Sequence, residues 1–282
     1  MDTTEQLVQG SIDMHVHHAP DAHIKRRVDA LQAAIQAEEA GMRAIVLKSH
    51  DYPTAPLAYI VNQSVRNLTV FGSLSLDFAV GGLNPSAVET SALLGAKVVW
   101  MPTFSSANDM EKRGLGGEGI RILDEKGRIV PPVLDILDIV KSHDMVLATG
   151  HVSGAESFAL VDEAKGRGVT KIVVTHPLET AVGATLSIEE QRQMAEKGAF
   201  IEHCFVGTMP LGDRLDPREI VAAVKAVGAE HCILTTDLGQ AWNPAPAEGM
   251  RMMVATLLRC ELSVEEMELL IKVNPARLLG LA

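Results

Sequence analysis

Four of the chain's ten histidines lie within residues 12–23, in the stretch IDMHVHHAPDAH. The first part of this stretch has the pattern of a β-strand, and side chains two residues apart on a strand project to the same face. His15 and His17 therefore form a candidate metal-binding pair, because imidazole is a common ligand of zinc and related divalent ions. His18 and His23 lie in the loop that follows and are interpreted as rim or surface residues.

Three further metal-competent side chains stand at the ends of other strand-like segments. His151 ends the segment ATGH, His176 ends VVTH and Asp237 ends LTTD. Each alone has an ordinary explanation, since an aspartate after a strand often forms a turn and a lone histidine commonly makes structural hydrogen bonds. Five such side chains at equivalent positions on four strands favour one shared site for a divalent metal, most simply zinc.

These positions depend on a regular alternation of strand-like and helix-like segments along the chain. Each of eight strand candidates is followed by helical sequence, which is typical of an α/β fold of the (β/α)8 TIM barrel type, with its chemistry at the carboxyl ends of the strands. A doubly wound open sheet is the structural alternative, but no glycine-rich phosphate-binding motif follows the first strand. The eight candidates are SIDMHVH, RAIVLKSH, LTVFGSLSLD, AKVVWMPT, MVLATGH, KIVVTH, AFIEHCF and HCILTTDLG.

The alternation breaks after the fourth strand, between Phe104 and Val130. This insertion contains RGLGGEG and then IRILDEKGRIV, which predicts a β-hairpin turning at residues 125–127. Insertions over a barrel mouth often act as lids, and a plain surface hairpin is the open alternative. We therefore expect a TIM barrel with a hairpin-containing insertion after strand 4.

The ordered set of His15, His17, His151, His176 and Asp237 resembles the metal-dependent amidohydrolase superfamily. The resemblance extends to the terminal NPARLLGL, which is similar to the start of the C-terminal helix in that superfamily. It implies that these residues surround one or two divalent metals and that the aspartate also handles the proton of the attacking water. The chemistry has its own physical logic, because a divalent metal lowers the pKa of bound water to roughly 7 and a neighbouring carboxylate can accept the proton.

The chain departs from the superfamily's binuclear pattern at the end of the fourth strand. Binuclear members usually carry a carbamylated lysine or a glutamate there, whereas this strand ends VVWMPT. Lys48 ends the second strand instead, and three interpretations are open: a carbamylated metal bridge, a cation that holds a substrate carboxylate or phosphate, or an exposed strand end. We include Lys48 among the candidate metal ligands, because burying an unpaired ammonium is costly.

Other polar residues near the strand ends are candidates for substrate contacts. His50 shares a face of the second strand with Lys48 and is expected to line the pocket. His203, in FIEHCF, is a candidate substrate contact, with a structural role as the alternative. Arg26 and Arg27 follow the first strand, where a solvated helix start is preferred over contact with an anionic substrate.

These features predict a single domain, residues 1–282, that acts as a metal-dependent hydrolase. The expected reaction is attack of metal-activated water on an amide, lactam, cyclic imide or ester bond of a small molecule, with Asp237 as the catalytic base. A decarboxylase or C–C hydrolase that uses one metal on the same site is the first alternative. A barrel that binds metal or ligand without catalysis is the second.

Composition limits the partners and the compartment. A formal net charge of −11 disfavours binding to nucleic acid or to an anionic membrane surface. The three cysteines are dispersed, which predicts no disulfide framework, and the N-terminus lacks the pattern of a signal peptide. We therefore expect a cytoplasmic protein, and homo-oligomerisation is left open.

Overall fold

The eight predicted strands form one parallel sheet whose spatial order follows the sequence, in a computed structural model that describes residues 2–281. Each strand pairs in parallel with the next one along the chain. The strands are β1 (Ile12–His17), β2 (Ala44–Lys48), β3 (Thr69–Ser75), β4 (Ala96–Trp100), β5 (Val146–Ala148), β6 (Ile172–Val174), β7 (Phe200–Cys204) and β8 (Cys232–Thr235).

Backbone hydrogen bonds between β1 and the residues just after β8 close this sheet into a barrel. The N–H of Asp237 donates to the carbonyl of His15 at 2.9 Å, and the N–H of His17 donates to that of Leu238 at 2.9 Å. A glycine follows at position 239, because a Cβ there would lie 2.2 Å from the His17 carbonyl oxygen. The TIM barrel prediction is confirmed, and the doubly wound alternative is wrong.

The predicted helices separate the strands, and a short helix at the N-terminus was not expected from the sequence. Between consecutive strands at least one helix packs outside the barrel, as parallel pairing requires a crossover. The helices are α1 (Thr3–Val8), α2 (Ala30–Glu39), α3 (Ala55–Val61), α4 (Pro85–Leu93), α5 (Ala107–Lys112), α6 (Pro131–Ser142), α7 (Gly154–Gly166), α8 (Ile188–Glu196), α9 (Pro217–Val227), α10 (Pro246–Arg259), α11 (Val264–Glu268) and α12 (Asn274–Leu279), with a π-helical segment, Leu269–Val273, joining the last two. No helix in residues 2–281 is both long enough and apolar enough to cross a bilayer.

Alternation along the strands divides the core into two layers. On β2, Ala44 and Val46 belong to the cluster inside the barrel, whereas Ile45 and Leu47 pack in the layer between sheet and helices. Lys48 follows with the parity of the inner residues and is 1% exposed. The same alternation therefore carries apolar side chains to the barrel interior and polar side chains to its carboxyl-end mouth.

The segment between Phe104 and Val130 contains α5 and then one antiparallel bridge, between Leu123 and Ile129. Its turn is held by the N–H of Gly127, which donates to the carbonyl of Asp124 at 2.9 Å. The turn thus forms at the expected residues, but the flanking segments form a single bridge, not two paired strands. A lid role for this segment stays a prediction.

Candidate metal centre and active site

Two histidines and one aspartate converge where β1 meets the end of β8. Nε2 of His15 lies 3.2 Å from Oδ1 of Asp237, and Nε2 of His17 lies 3.0 Å from the same oxygen. All three ligand atoms lie within 4.8 Å of one another, and all three side chains are largely buried. We call these three residues the ligand triad.

A second pair of histidines follows β5 and β6. Nε2 of His151 lies 3.2 Å from Nε2 of His176, and the His176 ring is centred 6.3 Å from the ring of His15. Residue 150 is a glycine with φ of 61°, and a Cβ there would lie 2.3 Å from the carbonyl oxygen of Met101. The backbone before His151 therefore requires glycine.

Unusual backbone conformations accompany two of these residues. His176 has φ of 30° and Asp237 has φ of 51°, in the region that non-glycine residues rarely adopt. Such conformations persist where the surrounding structure imposes them, and they concentrate at functional sites. Both residues leave their strands at these positions, which directs their side chains into the mouth.

Two carboxylates that the sequence did not single out orient the histidines. Oε1 of Glu202 lies 3.0 Å from Nδ1 of His15, and Oδ1 of Asp109 lies 3.1 Å from Nδ1 of His151. Because a carboxylate only accepts, each imidazole carries its proton on Nδ1 and presents the Nε2 lone pair to the mouth. Glu202 could have been found from strand parity in FIEHC, whereas Asp109 lies on α5, in the insertion after β4, where no sequence pattern points to it.

Lys48 reaches the centre of this arrangement from β2. Its Nζ lies 2.8 Å from Nε2 of His15 and 4.9 Å from the ring centre of Trp100. Burial lowers the pKa of the ammonium, although the charges of Asp237 and Glu202 oppose that shift. Because Lys48 is buried, its interpretation as an exposed strand end is wrong.

His50 lines the cavity at the barrel mouth, as expected, and a hydrogen-bond network at the ends of β3 and β4 holds its ring. Its Nδ1 lies 2.7 Å from Oγ1 of Thr103, and its ring stacks on Phe104 with ring centres 3.8 Å apart. The carboxylate of Asp77 accepts from the N–H groups of Thr103 and Ser105. Burial lowers the pKa of His50 to about 4, so the ring is neutral at physiological pH.

His203 lies outside this cavity, so the structure gives no support to a substrate contact there. On β7 the inward positions belong to Glu202 and Cys204, and His203 points to the layer beneath the helices, near Leu215 and Ile220. Within residues 2–281 neither of its ring nitrogens has a hydrogen-bond partner. The sequence placed it at the correct strand end, but alternation turns it to the outer face.

The cavity above these residues has a volume of about 280 Å³, and three ionisable residues that the sequence did not assign to it, Arg26, Glu179 and Asp213, also line it. Glu179 follows His176, and burial, together with the charges of Asp237 and Asp213, raises the pKa of its carboxyl well above the usual range. The side chain of Arg26 is 1% exposed and pairs with Asp21. The predicted solvated helix start is therefore wrong for Arg26.

The donor set fits a divalent metal. Imidazole nitrogen and carboxylate oxygen are the expected ligands of zinc and its relatives. The contacts of Glu202 and Asp109 with Nδ1 leave the Nε2 lone pairs of His15 and His151 available to an ion in this buried site. His15, His17, His151, His176 and Asp237 would hold such an ion, and Lys48 lies close enough to join them or to compete with them.

Comparison with solved structures reveals the same barrel in several enzymes. The probable dipeptidase PvdM from Pseudomonas aeruginosa superposes with a TM-score of 0.68 at 12% identity, covering 98% of this chain and 96% of the dipeptidase. A putative 2-pyrone-4,6-dicarboxylic acid hydrolase from Pseudomonas putida gives 0.61 at 16% identity, covering 96% and 98%. The 2,6-dihydroxybenzoate decarboxylase from Rhizobium gives 0.57 at 12% identity, covering 97% and 99%.

At these identities the likeness concerns the fold alone, and it confirms the (β/α)8 barrel that the sequence predicted. An amidohydrolase from Pseudomonas aeruginosa also superposes, with a TM-score of 0.65 at 13% identity and coverage of 99% and 98%. No curated protein matches the chain by sequence. One family model matches residues 10–202, which include β1 to most of β7. On this match, the chain belongs to the family described as a family of unknown function (DUF6282).

Proposed function

We propose that the chain is a metal-dependent hydrolase of the amidohydrolase type, acting on an amide, lactam, cyclic imide or ester bond of a small molecule. The observation that carries the proposal is the convergence of the ligand triad, with the ligand atoms of His15, His17 and Asp237 within 4.8 Å of one another. These residues come from opposite ends of the chain. Two buried carboxylates that orient neighbouring imidazoles add support, because such partners are typical of metal-binding histidines.

The chain's own residues would each have a distinct task. A bound divalent metal would supply a Lewis acid that polarises the scissile bond and acidifies water. Burial works to raise the pKa of Asp237, but His15, His17 and Lys48 outweigh it and hold that pKa well below the usual range. Asp237 is therefore ionised at neutral pH and positioned to accept a proton from the attacking water.

Glu179 would complement Asp237 as a proton donor. Its carboxyl is buried and lines the cavity, and burial together with the charges of Asp237 and Asp213 raises its pKa, which favours the protonated form. Two acids whose environments drive their pKa values apart are the usual basis for separate base and acid roles. Glu179 would return a proton to the leaving group while Asp237 receives one from water.

A decarboxylase or C–C hydrolase that uses one metal is a second candidate, favoured by one specific observation. The inner position at the end of β4, where a bridging ligand of a binuclear site is expected, holds Trp100. One of the similar structures is named as a 2,6-dihydroxybenzoate decarboxylase, which makes decarboxylation reasonable on this barrel.

The test combines metal analysis with one isosteric substitution. The purified chain is reconstituted with zinc, its metal stoichiometry is measured, and panels of amides, lactams, cyclic imides, esters and carboxylic acids are screened. Asp237→Asn should leave the fold intact and lower turnover by about 100-fold or more at saturating metal. Asp216→Asn, at the N-cap of α9 and outside the cavity, is the matched control. Undiminished turnover in Asp237→Asn would remove this residue from the mechanism, and a chain that binds no metal would refute the proposal.

A further inference from the structure

We infer that Arg26 anchors a carboxylate of the substrate in the cavity beside the ligand triad. The inference rests on the proposed function and narrows its substrate class to small carboxylic acids. Arg26 lines the cavity, yet its side chain is 1% exposed. Among the residues that the structure describes, none accepts a hydrogen bond from its Nη1. A buried guanidinium with an unused donor is costly, and a ligand that accepts from it removes that cost.

The existing partners of Arg26 leave one edge of the guanidinium for a ligand. Its Nε and Nη2 both contact the same oxygen of Asp21, Oδ2, at 2.8 and 2.6 Å. The remaining donors are those of Nη1 and the second hydrogen of Nη2. Together they form a planar fork whose geometry matches the two oxygens of a carboxylate.

The second hydrogen of Nη2 points to His17, and this contact couples the fork to the metal site. Nη2 lies 3.2 Å from Nδ1 of His17, and a guanidinium only donates, so Nδ1 must accept and Nε2 must carry the imidazole proton. A metal on Nε2 requires the opposite tautomer, with the proton on Nδ1. Two donors would then face each other, so metal binding at His17 releases Nη2 of Arg26 for the ligand.

The backbone holds Arg26 in place. It forms an antiparallel bridge with Gln240, in the loop after β8. On either side, the N–H of Arg27 donates to the carbonyl of Gly239 at 2.8 Å, and the N–H of Ala241 donates to that of Lys25 at 2.9 Å. The fork is therefore attached to a short ribbon that joins the first and last strand ends, which limits the freedom lost on ligand binding.

The rest of the cavity indicates the body that carries the carboxylate. Ile24, Phe104, Val206 and Trp242 give the wall an apolar and partly aromatic surface, and a volume of about 280 Å³ admits a small molecule. Asp213 also lines the cavity, and its charge disfavours a second anionic group on the substrate. The best-matched ligand is a compact monocarboxylic acid with an apolar or aromatic body.

The test uses benzoate and its neutral isostere benzamide as probes of the full chain, by calorimetric titration in a buffer without carboxylate. Three proteins are compared with and without zinc: the wild type, Arg26→Gln and Arg27→Gln. Arg27 is the matched control, because it is the adjacent arginine and is exposed. For the zinc-loaded proteins, Arg26→Gln should weaken benzoate binding by about 10- to 100-fold. Benzamide affinity and zinc content should be unchanged, and Arg27→Gln should behave as the wild type.

Unchanged benzoate affinity in zinc-loaded Arg26→Gln would overturn the inference, as would a zinc-loaded wild type that does not bind benzoate. A wild type that takes up no zinc would instead refute the proposed function. In that case the metal-free wild type and metal-free Arg26→Gln still test Arg26. The Nη1 donor alone should give the wild type a weaker affinity for benzoate, and Arg26→Gln should lose it. Circular dichroism checks the fold. If Arg26→Gln does not fold, Arg26→Lys keeps the charge near Asp21 and loses the fork, and wild-type benzoate affinity in that variant would contradict the assignment.

Discussion

Replacing His203 with leucine is expected to make the protein less sensitive to acid without affecting its site. The imidazole is buried in the layer under the helices, and within residues 2–281 both of its ring nitrogens lack partners. Burial lowers its pKa from 6.5 to about 4. Because the charged form is disfavoured only in the folded state, the unfolded chain binds the proton more readily.

The sign and size follow from that difference. Between pH 6.5 and 4 the unfolded state holds more protons at this residue than the folded state, so the free energy of unfolding falls as the pH falls through this window. At about 1.4 kcal/mol per pH unit the full difference is about 3.5 kcal/mol, and because the folded state is itself half protonated at pH 4, the loss by that pH is about 3 kcal/mol. His203→Leu removes the titrating group, so its free energy of unfolding should fall by about 3 kcal/mol less than that of the wild type.

Urea unfolding of the metal-free proteins at pH 7 and pH 4, followed by circular dichroism, measures this difference. At pH 7 the variant should be at least as stable as the wild type, because leucine buries no unpartnered nitrogen. His231→Leu, at an exposed histidine, is the control, and its free energy of unfolding should change between pH 7 and pH 4 by the same amount as that of the wild type. Equal pH slopes in His203→Leu and wild type would refute the reasoning. A loss of zinc binding in His203→Leu would return His203 to the site.

Two further predictions concern residues that surround the ligand triad. Asp109→Ala should lower zinc affinity by about 10- to 100-fold, because the His151 imidazole loses the carboxylate that fixes its tautomer; competition with a fluorescent chelator measures this, and unchanged affinity would contradict it. Lys48→Met should raise zinc affinity, because the ammonium 2.8 Å from Nε2 of His15 competes with the metal for that lone pair. A lower zinc stoichiometry would show instead that Lys48 is carbamylated and bridges two metals.

Much of the fold could be predicted because it depends on local pattern. All eight strands appear where apolar runs predicted them, although most are shorter than the runs, since pairing stops before the polar residues at their ends. The prediction agrees least with the structure in the insertion after β4. Residues 121–130 have alternation enough to suggest paired strands, but the segment forms one bridge and a tight turn held by Asp124 and Arg128, which is too short for two strands.

The sequence by itself determined which metal-competent residues share the barrel mouth. His15, His17, His151, His176 and Asp237 each follow a recognisable strand, and in a parallel barrel the strands' carboxyl ends must lie together. Strand parity also predicted that Lys48 and His50 share a face. These inferences need only the period of two and the order of the elements.

Only the tertiary structure decided what surrounds those residues. Asp109 and Glu202 orient imidazoles far away in the chain, and Arg26 is buried because the loops after β1 and β8 pair with each other. Strand parity leaves two alternatives on β7, and the packing of the barrel decided that Glu202 and Cys204 face inward and His203 faces away from the mouth. Contacts between distant segments depend on how strands and loops pack in three dimensions, and one sequence contains no local pattern that specifies them.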